Sequence, residues 1–326
     1  AEPYQLGIHQ LNVTPSLGVV LFDASDDDSE ELIKQADIAL YSAKEAGRNQ
    51  LCFFEAILQE ETNERALVLQ ELRKVLERDE LKLFYQPVVD NQQNILGFEA
   101  LVRWFHHEYG SISPIDFIPL AEQSGLIIPI GAWILETACW QLAQWSTDPE
   151  RQNLTMAVNV SARQFNQAGF AEQVQEILIR TGARADRLRL ELTESMLHDN
   201  IESTIVKMET LRKLGIRFSL DDFGTGYSSL SYLKLLPLNQ LKIDKSFVDD
   251  IFEDPSHAAI ARTIMALGNS LDLNVVAEGV ETQQQLDWLL DNGCQSFQGY
   301  FFSHPLPIAE IETLLRAKQA GHATEH

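Results

Sequence analysis

The stretch Phe218-Ser219-Leu220-Asp221-Asp222-Phe223-Gly224-Thr225-Gly226-Tyr227-Ser228-Ser229 reads as a buried strand that ends in two adjacent carboxylates and enters a glycine-rich turn. Side chains alternate along a strand, so Asp221 and Asp222 leave it in different directions. At the strand's end both can serve one site by holding a pair of cations between them. A plainer account is an Asp capping a Gly-rich loop, which is ordinary turn chemistry. The sequence on either side weighs between the two.

From Leu81 onward, strand-like and helix-like segments alternate. Strands are expected near 82–89, 95–104, 155–160, 188–192, 217–222, 240–244, 273–278 and 296–301. Helix-length segments lie between most of them, among them Phe165–Arg180, Ser195–Leu214, His257–Leu271 and Thr282–Asn292. Alternation implies parallel strands, and eight of them imply a closed α/β barrel of the (β/α)8, TIM-like class. One link breaks the rule. Asp90-Asn91-Gln92-Gln93-Asn94 is too short for a parallel crossover, so the first strand should run antiparallel to the second.

Charged or amide groups recur near the strand ends: Glu99 (closer to mid-strand), Asn159, Glu191, Asp221, Asp222, Lys242 with Asp244, Glu278 and Gln298. In a parallel barrel such positions converge on the face where active sites are built. One acidic strand end is usually a cap, but a ring of them is not. Burying so many carboxylates without counter-charge would raise their pKa values and destabilise the fold. Divalent cations compensate, and an oxygen-rich set with the Asn159 amide suits Mg²⁺ or Mn²⁺ better than zinc. Two such cations roughly 4 Å apart, bridged by a carboxylate such as Asp221, suit in-line displacement at phosphorus. Lys242 can stabilise phosphate charge or orient water, and Glu278 can accept a proton. The residues thus reach metal-dependent phosphoester hydrolysis, without a substrate. His106 and His107 are read as a solvated loop pair.

The chain has 326 residues, a formal charge of -23 and three scattered cysteines, Cys52, Cys139 and Cys294. That charge argues against a coat for nucleic acid polymer or anionic membrane. The cysteines match neither a metal spacing nor a disulfide framework, which favours a reducing compartment, the cytoplasm. The apolar stretch Leu126–Trp140 is too short to span a bilayer. A membrane anchor upstream stays open.

Residues 1–55 read as the end of another domain. Ser16–Phe22 is β-prone, and Asp26-Asp27-Asp28-Ser29 starts a helix that Gly47 stops. Leu51–Phe54 closes it as a strand. Such a piece buries little apolar surface alone. Glu60–Asp79 is a charged helix with an apolar stripe. The expected divisions are a fragment at 1–55, a linker helix at 56–80, a barrel at 81–318 and a tail at 319–326.

With these residues in view, positions 80 to about 315 resemble the EAL domain, the bacterial cyclic di-GMP phosphodiesterase family. The resemblance rests on Tyr85-Gln86-Pro87, Glu99-Ala100-Leu101-Val102-Arg103-Trp104, Asn159-Val160-Ser161 and Glu191-Leu192-Thr193-Glu194. It continues through Asp221-Asp222-Phe223-Gly224-Thr225-Gly226, Lys242-Ile243-Asp244, Ala277-Glu278-Gly279-Val280-Glu281 and Gln298-Gly299-Tyr300. It implies a barrel with an antiparallel first strand, and metal ligation by Glu99, Asn159, Glu191, Asp221 and Asp222. Glu278 would be the base or water holder, with Lys242 as its partner and Asp222 beside them. Gln86, Leu101, Arg103, Gln298 and Glu281 would contact the dinucleotide, and Glu194 would hold the loop that starts at Asp222. The expected reaction opens cyclic di-GMP to linear 5′-pGpG with Mg²⁺ or Mn²⁺. In the family, that loop faces a dimer partner, so a homodimer is expected to set it.

Residues 1–55 are similar to the C-terminal part of a GGDEF, or diguanylate cyclase, domain. Ser16-Leu17-Gly18-Val19, Ala36-Asp37-Ile38-Ala39-Leu40-Tyr41, Ala43-Lys44 and Gly47-Arg48-Asn49 carry that likeness, without the Gly-Gly-Asp-Glu-Phe signature. The expectation is a piece of a larger GGDEF–EAL protein with GGDEF and sensor domains upstream. Two other readings stand beside the enzyme. One is a receptor that binds cyclic di-GMP without cutting it, and the other is an enolase-like metal enzyme for another substrate.

Overall fold

The computed structural model describes residues 4–6, 9–11, 14–22, 29–197, 201–224 and 233–323. The chain forms two compact units, Ala1–Lys74 and Val75–His326.

In the first unit, β1 (Tyr4–Leu6) pairs antiparallel with β2 (His9–Leu11). Strands β3 (Leu17–Val19) and β4 (Leu51–Phe53) pair in parallel, with the helix Ser29–Glu45 between them in sequence. Helix and strand touch closely, because a Cβ on Gly18 would lie 2.2 Å from the Ala36 carbonyl oxygen. Only glycine permits that approach. The helix starts at the expected Ser29, while Asp26, Asp27 and Asp28 lie outside the described residues. The next helix is Ala56–Leu72 and ends in turns, seven residues before the expected Asp79.

The second unit is an eight-stranded closed barrel. It opens with a hairpin of β5 (Leu81–Asp90) and β6 (Ile95–His106), paired antiparallel as the short link requires. The Asp90 carboxylate accepts hydrogen bonds from the Gln92 and Asn94 backbone N–H groups at 2.8 Å, and Gln93 takes a φ of 62°. A three-residue strand, β7 (Gly110–Ile112), pairs with the outer end of β6. Then β8 (Thr155–Asn159), β9 (Leu188–Thr193), β10 (Arg217–Phe223), β11 (Gln240–Ile243), β12 (Asn274–Ala277) and β13 (Ser296–Phe297) follow in parallel, and β13 closes the barrel antiparallel against β5. A short β14 (Leu306–Pro307) flanks β5.

The last barrel strand stops at Phe297 rather than the expected 301. Immediately beyond it, a Cβ on Gly299 would lie 2.1 Å from the Val280 carbonyl oxygen, so two backbones meet where the strand would have continued. The expected helix Phe165–Arg180 is in fact two, Ala162–Phe165 and Phe170–Thr181, separated by a left-handed Gly169. Ser195–Leu214 resolves into a short 3-10 turn at Glu194–Leu197 and a helix at Ile201–Lys213. Leu190, Leu192, Phe218, Leu220, Leu241 and Ile243 are fully buried on the side of the sheet that faces the helices. The residues between them point inward, and these are polar. Among the described residues no helix is long and apolar enough to cross a membrane.

Candidate active site

Every barrel strand sends one polar side chain to a common point. Lys242, 1% exposed on β11, is its centre. Its ammonium lies 2.9 Å from Glu191 on β9, 3.2 Å from Asp221 on β10 and 3.4 Å from Glu99 on β6. It also pairs with Glu278, directly after β12. Asn159 at the end of β8 donates to Glu99 at 2.6 Å. Gln298, just past β13, donates to Glu99 at 2.6 Å and to Gln86 on β5 at 3.0 Å. Alternation along each strand places these groups in the lumen, and parallel register places them near one level.

One ammonium faces four carboxylates, so negative charge is in excess. Burial and the neighbouring Glu99 and Asp221 outweigh Lys242 and push Glu191 up to about 8. Burial likewise drives Glu278 well above the usual carboxylate range, with Asp221, Glu99 and Glu191 adding to it. Glu99 goes the other way. Burial opposes its ionisation, yet Lys242 and the Gln298 and Asn159 donors hold it below the ordinary value. Burial would depress Lys242, but the surrounding carboxylates carry it well above its ordinary value.

Asp222 sits beside the ring in a left-handed conformation with φ of 53°. Its backbone N–H donates to Asp221 Oδ1 at 3.1 Å. Burial, Asp221 and Asp244 push its pKa up to about 6. Glu194 accepts the Gly224 N–H at 3.2 Å, at the start of the loop it was expected to hold. The rest of that loop, Thr225 to Ser229, lies outside the described residues.

An open cleft above the ring is lined by Gln86, Leu101, Glu281 and Gln298 of the expected substrate set. Arg103 stands at its side, half-buried, donating to the Val102 carbonyl at 2.8 Å and lying over the Phe84 ring. Lys245 and Tyr300 also line the cleft, and the sequence reading gave them no role. Lys245 pairs with Glu281 at 2.7 Å and lies 5.4 Å from the Tyr300 ring centre. The signal available was its place directly after Asp244, at a strand end.

Of the histidine pair, His107 is exposed as expected and His106 is a correction. His106 is 3% exposed rather than solvated, because β6 continues past the barrel to pair with β7. Among the described residues, Glu80, His106 and His107 form the one group of three whose donor atoms lie within 4.8 Å of one another. Their hydrogen bonds do not suit a metal. A ligating histidine donates through its other ring nitrogen. His106 Nδ1 instead accepts the Glu108 and Tyr109 N–H groups at 3.1 and 3.2 Å. Glu80 accepts the Trp104 indole N–H at 3.0 Å and meets His107 Nδ1 at 2.7 Å. These bonds tie Glu80 and His106 into the fold as a structural node, with His107 exposed at its edge.

Against known proteins, the family described as "EAL domain" matches residues 69–305, and "Diguanylate cyclase, GGDEF domain" matches residues 1–50. MucR, a bifunctional diguanylate cyclase/cyclic di-GMP phosphodiesterase of Pseudomonas aeruginosa, is 42% identical over 312 residues, covering 95% of this chain and 45% of MucR. NbdA, a cyclic di-GMP phosphodiesterase of the same organism, is 43% identical over 319 residues, covering 97% of this chain and 40% of NbdA. This chain therefore spans less than half the length of these curated relatives. A solved structure of the PaMucR phosphodiesterase in complex with c-di-GMP superposes with a TM-score of 0.73 at 44% identity, covering 75% of this chain and 99% of that one.

Proposed function

The chain belongs to the EAL domain family, and from that premise we propose that it hydrolyses cyclic di-GMP to linear 5′-pGpG with Mg²⁺ or Mn²⁺. The observation that carries this reading is the ring of four carboxylates on one ammonium. Its donors are oxygens alone, which suits hard cations, and its surplus negative charge calls for more positive charge than Lys242 supplies. Glu99, Asn159, Glu191, Asp221 and Asp222 would hold the metals. Bound there, divalent cations would supply Lewis-acid activation of the phosphodiester and of the attacking water.

The chain's own residues do the rest. Glu278, with its raised pKa, is suited to accept a proton from the water and to be neutral afterwards. Lys242 beside it balances charge as the phosphate turns more negative. Gln86, Leu101, Arg103, Gln298 and Glu281 would seat the dinucleotide in the cleft above. The named activity of MucR and NbdA, and the c-di-GMP in the PaMucR complex, support this substrate. Homodimerisation that sets the loop after Asp222, and a cytoplasmic location, belong to the same reading. Equal specific activity in monomer and dimer fractions would remove the dimer from it.

Replacing Glu278 by Gln tests the chemistry. The variant should bind cyclic di-GMP in Mg²⁺ as the parent does and cut it about 10²–10⁴-fold more slowly. Unchanged turnover would strip Glu278 of its role. Tight binding with no product from the parent chain would turn the reading into a receptor.

A further inference from the structure

The lumen has a second end. Strand alternation puts the residue two before Glu191 and the residue four before Asp221 on the same inward face as those carboxylates. They are Arg189 and Arg217, at the amino ends of β9 and β10 and directly paired in register. Two arginines thus occupy directly paired positions at the barrel mouth opposite the carboxylate ring. Like charges at directly paired positions destabilise a sheet unless opposite charge lies against them.

Among the described residues neither guanidinium has a hydrogen bond or an ion pair, in a protein with 48 acidic and 25 basic residues. Arg184 and Arg187, a few positions away, are both paired with Asp186. Arg189 Nε is buried without a partner, and so is the hydroxyl of Ser219, the next inward residue after Arg217 on β10. Among the described residues these buried donors have no acceptor of their own. Guanidinium forks match the oxygen edges of a tetrahedral oxyanion, and a dianion would neutralise both.

We propose that the amino-terminal mouth of the barrel is an anion site, in which Arg189 and Arg217 together hold a phosphate-class oxyanion. Inorganic phosphate and the phosphate monoester of a nucleotide share the required chemistry. Arg189 lies two residues from Glu191, roughly 6.6 Å of strand rise, so a bound anion acts electrostatically on the carboxylate end.

The test is calorimetric titration of the whole chain with inorganic phosphate and, separately, with GMP. EDTA is present so that no cation at the other end can hold phosphate. The expected result is saturable binding to one site at millimolar concentrations or below. Arg217 is exposed, so Arg217→Gln should fold normally and weaken that binding at least about tenfold. Arg189→Gln should do the same, and the surface variant Arg184→Gln should leave it unchanged. Binding of phosphate alone would identify a free oxyanion as the ligand, and binding of GMP as well would extend the site to nucleotides. Absence of saturable binding, or an affinity unchanged in both Arg189→Gln and Arg217→Gln, overturns the proposal.

Discussion

The ring around Lys242 and the Glu80–His106–His107 group both gather side chains that can bind metals, the latter with His107 exposed, yet they are built on opposite principles. At Glu80 each carboxylate oxygen already has a donor, and the carboxyl is held below its ordinary pKa of 4.5 although burial pulls the other way. At Lys242 the charges do not balance, and Glu191 is pushed up to about 8. Tight spacing marks the first group and unmet charge marks the second. Spacing alone would choose the Glu80 group, whereas the proposed function needs the ring around Lys242. A site that recruits cations needs surplus negative charge, because desolvated carboxylates without a counter-charge are what a cation relieves.

The comparison breaks most easily at Glu99. Glu99→Gln keeps the shape but removes a charge from the ring, and should lower metal-dependent turnover at least about 100-fold with an unchanged circular dichroism spectrum. Full activity in that variant would mean the ring does not hold the cations. Lys242→Met comes next. It leaves four buried carboxylates without their ammonium and should cost about 3–5 kcal/mol of stability in EDTA. Mg²⁺ should return part of the loss, read as a rise in Tm, since a ligand that binds only the folded state stabilises it.

Glu80→Gln should cost less, about 1–3 kcal/mol, and should leave turnover intact. The sign of its pH dependence is fixed by the depressed pKa. The stabilisation from Glu80 is complete above its unfolded value of 4.5 and is lost as pH falls through the lower folded value. Acid unfolding curves of the parent chain should therefore fall more steeply below about pH 4.5 than those of Glu80→Gln. Equal slopes would mean that the node is not the charged, hydrogen-bonded group described. The smallest effect is expected from zinc, which should leave the Tm of the EDTA-treated Glu99→Gln variant within about 1 °C of its metal-free value. A larger rise, abolished by His107→Ala, would make the node a metal site after all.

Much of this was legible in the sequence because it depends on local rules. The five-residue link at Asp90–Asn94 allowed only a hairpin, and the structure has one. Period-two alternation placed Glu191, Asp221 and Lys242 at strand ends where they could meet, and they do. What was hidden depends on pairing between distant segments. His106 is buried because Gly110–Ile112 extends the sheet beyond the barrel, and three residues carry too little pattern to announce a strand. The last strand stops at Phe297 because Val280 packs against Gly299, a contact that no periodicity encodes. Arg189 and Arg217 follow from the same alternation as the carboxylates, but their partnership needs the register of β9 against β10.

The most direct test of the account is cyclic di-GMP turnover by the purified chain in Mg²⁺, with and without EDTA, followed by chromatography. Linear pGpG is expected in Mg²⁺ and intact substrate in EDTA. Product formation that survives EDTA, or no product in Mg²⁺ while the dinucleotide stays bound, would contradict it.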